Sequence, residues 1–336
     1  MNHSRRSFLR NSAFGLGALA FASPALQALA ATKYKKLVGV QLYSVRDDMK
    51  RDPQSTLEAL AEMGYKYVEH ANYIDRKFYG WEAKEFKKRL DDLGMKMPSG
   101  HTVMGKKHWD EGKNEFTDLW KYTVDDAAIL GQELVISPSI DMAIRKDKNL
   151  LLKYMDIFNK SGELCQKSGM RFGYHNHDFE FSEKLEGELL YDIMLNNTDP
   201  TLVAQQLDIG NMINGGGVPA EVMKKFPGRF VSMHVKDEVP SSAGHEKFES
   251  TVLGKGSGQI DVKALVKLGD SAGGTKHFII EQESYQGLKP LDCMREDLAI
   301  MRGHTRKLQR ACSRTSPLAR TLKRQRACSH EHGGCS

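Results

Sequence analysis

The sequence predicts a single-domain α/β protein, a (β/α)8 TIM barrel, and three observations carry that prediction. From Lys36 onward, short apolar runs alternate with longer amphipathic stretches, the pattern of parallel βαβ units. Eight such units fit in roughly 265 residues, close to the ~250 that a barrel of this kind uses as one domain. The first turn, Gln41-Leu42-Tyr43-Ser44, lacks the glycines that a doubly wound dinucleotide-binding sheet would need.

The strand candidates are 37–43, 66–69, 95–100, 133–136, 171–175, 202–208, 230–235 and 277–281. Helical periodicity fills the intervals at 53–63, 81–93, 150–167, 219–226 and 262–268. Polar residues fall at one phase of this repeat. Gln41, Glu69, His101, His175, Asp208, His234 and Glu281 each stand at or just after the end of a strand candidate. In a barrel that rim is where several strands contribute chemistry at once.

The bulk properties fit a globular body with unlike ends. Of 336 residues, 40% are hydrophobic and 27% charged, and the net charge is +6. The first 31 residues hold Arg5, Arg6 and Arg10 with no acid, and 302–336 hold nine Lys or Arg against Glu331 alone. The interval 32–301 keeps 37 basic and 42 acidic residues, so the body is mildly acidic and offers no broad basic face to nucleic acid. Cys165 and Cys293 are isolated within the body and form no disulfide framework; Cys165, in a helical pattern, reads as a small buried hydrophobe.

Ser4-Arg5-Arg6-Ser7-Phe8-Leu9-Arg10 precedes an Ala/Gly-rich apolar run over 13–22, and Ala28-Leu29-Ala30 supplies a small-x-small cleavage site. Residues 1–31 therefore resemble a twin-arginine signal, and the mature protein is expected in the periplasm. The apolar run is too short to span about 30 Å of hydrocarbon, which argues against a stable membrane anchor. The barrel is expected over 32–303. Beyond it, Gln309-Arg310-Ala311-Cys312-Ser313 recurs as Gln325-Arg326-Ala327-Cys328-Ser329, and the stretch from Cys328 to Cys335 carries metal-type side chains without apolar support. Residues 304–336 read as a basic, low-order tail with no assigned function.

Three late strand candidates each end in a ligand-type side chain: Asp208, His234 and Glu281. Carboxylate and imidazole donors converging on one barrel mouth suit one divalent cation, Mn, Zn, Co or Mg. The fifth strand adds Gly173-Tyr174-His175-Asn176-His177-Asp178, in which 175 and 177 share a direction on extended chain. Lys236, two residues past His234, should face the same cavity and could anchor a substrate oxygen. Leu253-Gly254-Lys255-Gly256-Ser257-Gly258 does not match a phosphate loop and reads as a flexible turn, while His245 lies in a polar loop.

These strings resemble the xylose-isomerase-like barrel superfamily of sugar isomerases, epimerases and inosose dehydratases, over about 37–301. The resemblance rests on Gly39-Val40-Gln41-Leu42-Tyr43-Ser44-Val45-Arg46-Asp47, Tyr174-His175-Asn176-His177-Asp178, His234-Val235-Lys236-Asp237 and Ile280-Glu281. It implies one divalent metal held by Glu, Asp, His and Glu on strands five to eight. Asp208, His234 and Glu281 match the last three, and His175 stands where the first glutamate should be. Two-base epimerases of the superfamily use both glutamates as opposed proton shuttles, so that mechanism does not carry over unchanged.

The expected function is a metal-dependent sugar isomerase or epimerase that forms an enediolate by proton abstraction beside a carbonyl. Elimination from a keto-sugar or 3-keto-glycoside is the close alternative, and a non-catalytic sugar-binding barrel is a third. The expected catalytic residues are Glu281, His175, His177 and Lys236; the expected metal ligands are His175, Asp208, His234 and Glu281. Gln41, Glu69, His101, Tyr43 and Trp109 are expected to touch substrate. The partner is a small sugar, free or glycosidic rather than phosphorylated, and a homo-oligomer is compatible with the sequence. Related nucleases place a second histidine three residues after the strand-six aspartate; Asn211 stands there, which argues against abasic-DNA cleavage.

Overall fold

A computed structural model describes residues 36–242 and 247–315, with side chains to 303. Residues 1–31, the loop histidine His245 and the cysteine-containing end of the tail lie outside the described residues.

Eight parallel strands close into a barrel: β1 Leu37–Gln41, β2 Tyr67–His70, β3 Lys96–His101, β4 Leu134–Ser137, β5 Arg171–His175, β6 Val203–Asp208, β7 Ser232–Val235 and β8 His277–Ile280. Each pairs with its sequence neighbours, and β1 pairs with β8 to complete the ring. The expected strands all form. The first is shorter than its apolar run, because the Gln41 side chain accepts the Tyr43 N–H at 3.2 Å and turns 42–45 into a 3-10 turn.

The principal helices are α1 Pro53–Met63, α2 Ala83–Asp92, α3 Asp118–Leu130, α4 Lys148–Lys167, α5 Leu190–Asn196, α6 Pro219–Lys225, α7 Val262–Leu268 and α8 Pro290–Thr315. Their ends are written in the sequence. Asp52 caps α1 by accepting the Ser55 N–H at 3.1 Å, Pro53 occupies its first turn, and Gly64 ends it at φ 101°. Asp147 and Asp261 cap α4 and α7 in the same way. Two boundaries differ from expectation. Trp81 and Glu82 pair with Lys77 and Phe78 in a hairpin, so α2 starts after them. Helix α8 continues past Gly303 to Thr315, where the loss of barrel periodicity suggested a low-order tail.

The main apolar cores lie between the barrel wall and the helices, around Leu57, Phe86, Met233 and Phe278 on one side and Trp120, Phe158 and Phe172 on the other. Cys165 sits in the second, its thiol pushed up to about 12 by burial. Gly100 marks the closest approach within the wall, because a Cβ there would meet the His70 ring at 1.9 Å. Among the described residues, no helix is long and apolar enough to cross a membrane.

Candidate active site

The side chains that end β5 to β8 converge. His175, Asp208, His234 and Glu281 each offer a ligand atom, and those atoms lie within 4.8 Å of one another. Register explains this: Asp208 and His234 are direct partners across β6 and β7, and Glu281 lies two residues past Ile279, the partner of His234 on β8. Asparagine 176 clamps the aspartate, because its amide accepts the Asp208 N–H at 2.9 Å and donates to the Asp208 carbonyl at 3.1 Å.

Strand alternation puts a second polar layer one step deeper, where barrels ordinarily pack branched apolar side chains. Gln206, Ser232 and Ser99 lie two residues before Asp208, His234 and His101, and Glu69 lies among them, all with essentially no exposure. Glu69 accepts from Gln41 at 2.8 Å, from Gln206 at 2.8 Å and from the Ser99 hydroxyl, and it lies 2.6 Å from His234 Nε2. Gln206 Nε2 also donates to Ser232 at 2.9 Å, which orients its amide and leaves Oε1 to accept from His101 Nε2 at 2.6 Å and His175 Nδ1 at 3.1 Å.

This lower layer sets the upper one. Glu69 holds His234 through Nε2, so Nδ1 faces Glu281 at 2.8 Å and Asp208 at 3.6 Å. Gln206 holds His175 through Nδ1, so Nε2 faces Asp208 at 3.9 Å. Buried carboxylate or amide partners that fix imidazole orientation are the usual support of a histidine metal ligand. Asp208 Oδ2 is buried and forms no hydrogen bond, although Lys236 Nζ lies 2.9 Å away. Two buried carboxylates and two oriented imidazole nitrogens make a donor set that fits a divalent cation.

The electrostatics follow from these contacts. Burial opposes ionisation of Asp208, but Lys236 and His234 outweigh it and hold the carboxyl at about 2. Burial likewise opposes the charge on Glu69, and His101 and His234 bring it to about 2. Glu281 is held well below the carboxylate range by Lys236 and His234 against its burial. His234 is the converse: Glu281 and Glu69 overcome burial and raise its proton affinity well above that of free histidine. Burial lowers His175, His101 and His177, so these rings are neutral at neutral pH.

A cavity of about 820 Å³ opens over the cluster at the C-terminal ends of the strands. His175, His177, Glu281, His101 and Tyr43, all expected at the site, line it. His177 sits beside His175 with ring centres 5.1 Å apart, stacks on Phe179 and has a buried Nδ1 without a hydrogen-bond partner. Its backbone N–H is held at 2.8 Å by the buried Glu180, which burial pushes up to about 8.

Three of the expected substrate contacts lie outside the cavity lining. Gln41 and Glu69 belong to the buried lower layer and support His234 rather than facing the cavity, because their positions on β1 and β2 are one layer too deep. Trp109 lies outside the cavity lining; it packs edge-on against Phe116 at 5.0 Å, with Lys160 over its ring at 5.1 Å. Lys236 does reach the cluster, but its ammonium is shared by Asp208, Glu281 and Glu283 at 2.9–3.0 Å and is not free to anchor a substrate oxygen. The glycine-rich turn is committed too, since the amides of Gly254 and Gly256 donate to Asp237. Sequence reasoning missed Gln206, Ser99, Ser232 and Glu283. The available signal was the two-residue step that relates each to a rim residue already singled out.

The sequence profile of the family described as xylose isomerase-like TIM barrel matches residues 57–304. The chain belongs to that family. Among xylose isomerase-like barrels it resembles the inosose dehydratase of Geobacillus thermodenitrificans, with 28% identity over 142 residues, 38% of this chain and 46% of that protein. The inosose dehydratase of Geobacillus kaustophilus is 24% identical over 193 residues, 56% of this chain and 54% of the relative. The matches thus span about half the length of these curated relatives. A solved structure described as a sugar phosphate isomerase/epimerase from Parabacteroides distasonis is 27% identical, with a TM-score of 0.68, covering 83% of this chain and 98% of that one. A structure of the IOLI protein with a zinc atom shares the fold at 15% identity and a TM-score of 0.62, covering 81% of this chain and 99% of that one.

Proposed function

We propose that this chain is a divalent-metal-dependent enzyme that removes the proton beside a carbonyl of a sugar-like small molecule and then expels a group from the adjacent carbon. The observation that carries the reading is the convergence of His175, Asp208, His234 and Glu281 beneath an open cavity. The zinc atom held by a barrel of the same fold supports a metal there. Bound at that cluster, a divalent cation supplies positive charge that polarises the carbonyl and offsets the charge left by proton loss.

The chain's own residues divide the remaining work. His175, Asp208, His234 and Glu281 hold the cation, and Lys236 keeps both carboxylates ionised. His177 is the base: it lines the cavity beside His175, and burial favours its neutral form. Glu180 fixes the backbone from which that ring projects.

Elimination is favoured over epimerisation because His175 replaces one of the two opposed glutamates that the resemblance implies for epimerases, and because the curated relatives are named as dehydratases. Isomerisation is the second reading, supported by the name of the 27% identical structure. Incubating the protein with keto-sugars and methyl 3-keto-glycosides, with and without chelator, separates them by NMR of the products. An unsaturated product formed only with metal supports elimination, and a rearranged sugar supports isomerisation. No metal-dependent product from any member of the panel would overturn both.

We also propose export by the twin-arginine route; replacing Arg5 and Arg6 with lysine should retain the protein in the cytoplasm.

A further inference from the structure

The cavity does not end at the histidines. Among the described residues nine large hydrophobic side chains are exposed, and five of them, Tyr43, Ile74, Val103, Leu119 and Tyr122, line this one cavity. Ile74 is 62% exposed, Leu119 51% and Val103 50%. They come from separate elements, the loops after β1, β2 and β3 and the first turns of α3, so the folding of no single element accounts for their meeting.

Ile74 is held there by a tight turn. It opens a two-residue turn whose central residues, Asp75 and Arg76, have φ values of 49° and 63°, a region that side chains other than glycine, asparagine and aspartate rarely adopt. Paired backbone hydrogen bonds between Ile74 and Lys77 close the turn at 2.9 and 3.0 Å. The turn is then fastened to α3: Arg76 donates to Asp126 through two nitrogens at 2.8 and 3.0 Å, Tyr73 donates to the same carboxylate at 2.7 Å, and the guanidinium lies 4.2 Å from the Tyr122 ring centre. Strain maintained by surrounding structure is characteristic of ligand clamps. Arg76 is thereby committed, and Lys107 is the other basic residue of the cavity lining, so the outer chamber is built for apolar rather than phosphate contact.

The volume agrees. About 820 Å³ lies toward the upper end of the roughly 300–1,000 Å³ of pockets that enclose drug-sized ligands, and exceeds what one sugar ring fills.

We infer that the outer chamber, between the Ile74 turn and the start of α3, is a subsite for the apolar aglycone of a glycoside whose sugar ring sits over the His175–Glu281 cluster. This rests on the proposed sugar-directed function for the identity of the inner group, but its test needs no turnover. Calorimetry on the full protein would compare phenyl and methyl β-D-glucopyranoside, which share a sugar and differ only in the aglycone. The phenyl glycoside should bind about tenfold tighter or more, and Ile74→Asp and Leu119→Asp should each bring the two affinities together. Both positions are exposed and lie on different elements, so a shared effect is not a folding defect. Equal affinities in the wild type, no binding of either probe, or preference unchanged in both variants would overturn the subsite. So would a wild-type dimer that becomes monomeric in both variants, since a second copy would then be what covers the patch. Failure of metal-dependent turnover on methyl 3-keto-glycosides, with phenyl preference intact, would sink the catalytic reading and leave the subsite standing.

Discussion

The two halves of the barrel mouth use the same residue types for different ends. Strands β5 to β8 deliver His175, Asp208, His234 and Glu281 around one point, whereas Gln41, Glu69 and Ser99 of β1 to β3 join Gln206 and Ser232 in a sealed layer beneath it. Asp208 and Glu69 are both wholly buried carboxylates held at about 2, yet Asp208 has an oxygen without a hydrogen bond and Glu69 has both oxygens engaged. Depth within the barrel, set by the two-residue alternation of each strand, decides which role a given acid takes.

The largest expected effect falls on the upper ring. Asp208→Asn or Glu281→Gln should lower kcat/KM by about a thousandfold or more, as loss of a metal's charge stabilisation does; a loss below tenfold in steady-state assays would erase the distinction between the halves. Next come the supports. Gln206→Leu and Glu69→Gln should weaken metal binding by roughly 10–100-fold without abolishing it, the usual penalty for losing a ligand's hydrogen-bond partner. Titration calorimetry would show it, and an effect equal to that of Asp208→Asn would merge the two layers into one.

A further contrast concerns the acid behind β5. Glu180 is held at about 8 by burial, against an ordinary value near 4.5. Between those values the folded chain keeps a proton that the unfolded chain releases, so stability falls as pH rises through this window, by at most about 1.4 kcal/mol per pH unit from this group. Denaturant unfolding at pH 5, 7 and 9 should show the decline, and Glu180→Gln should flatten it; an unchanged slope would place the proton elsewhere. The smallest kinetic effect is expected at Trp109. Because it packs on Phe116 away from the cavity, Trp109→Ala should leave kcat/KM within about twofold while lowering stability by about 1–3 kcal/mol. A large kinetic loss would return this residue to the site.

Much of this was legible in the sequence, for definable reasons. Alternation of apolar runs and amphipathic helices exposed all eight strands, and helical periodicity over 53–63 gave the first helix. The upper ring was legible because each member stands at or beside the end of an apolar strand run. The lower layer was not, since Gln206, Ser99 and Ser232 sit inside strands where a polar residue has no partner until the barrel closes. Tyr43 and His101 line the cavity because they follow or end their strands. Trp109 packs on Phe116 outside the cavity lining, a difference the sequence does not carry because an aromatic residue near the rim looks alike in either place. The Ile74 chamber was invisible, since it is assembled from three loops and a helix with no common spacing.

The central claim is that one divalent cation binds where β5 to β8 end. Calorimetric titration of metal-free protein with Mn or Zn addresses it most directly, with Asp208→Ala beside the wild type. The account predicts one ion per chain in the wild type and at least a hundredfold weaker binding in the variant. Absence of binding by the wild type, or equal affinity in both proteins, would contradict it.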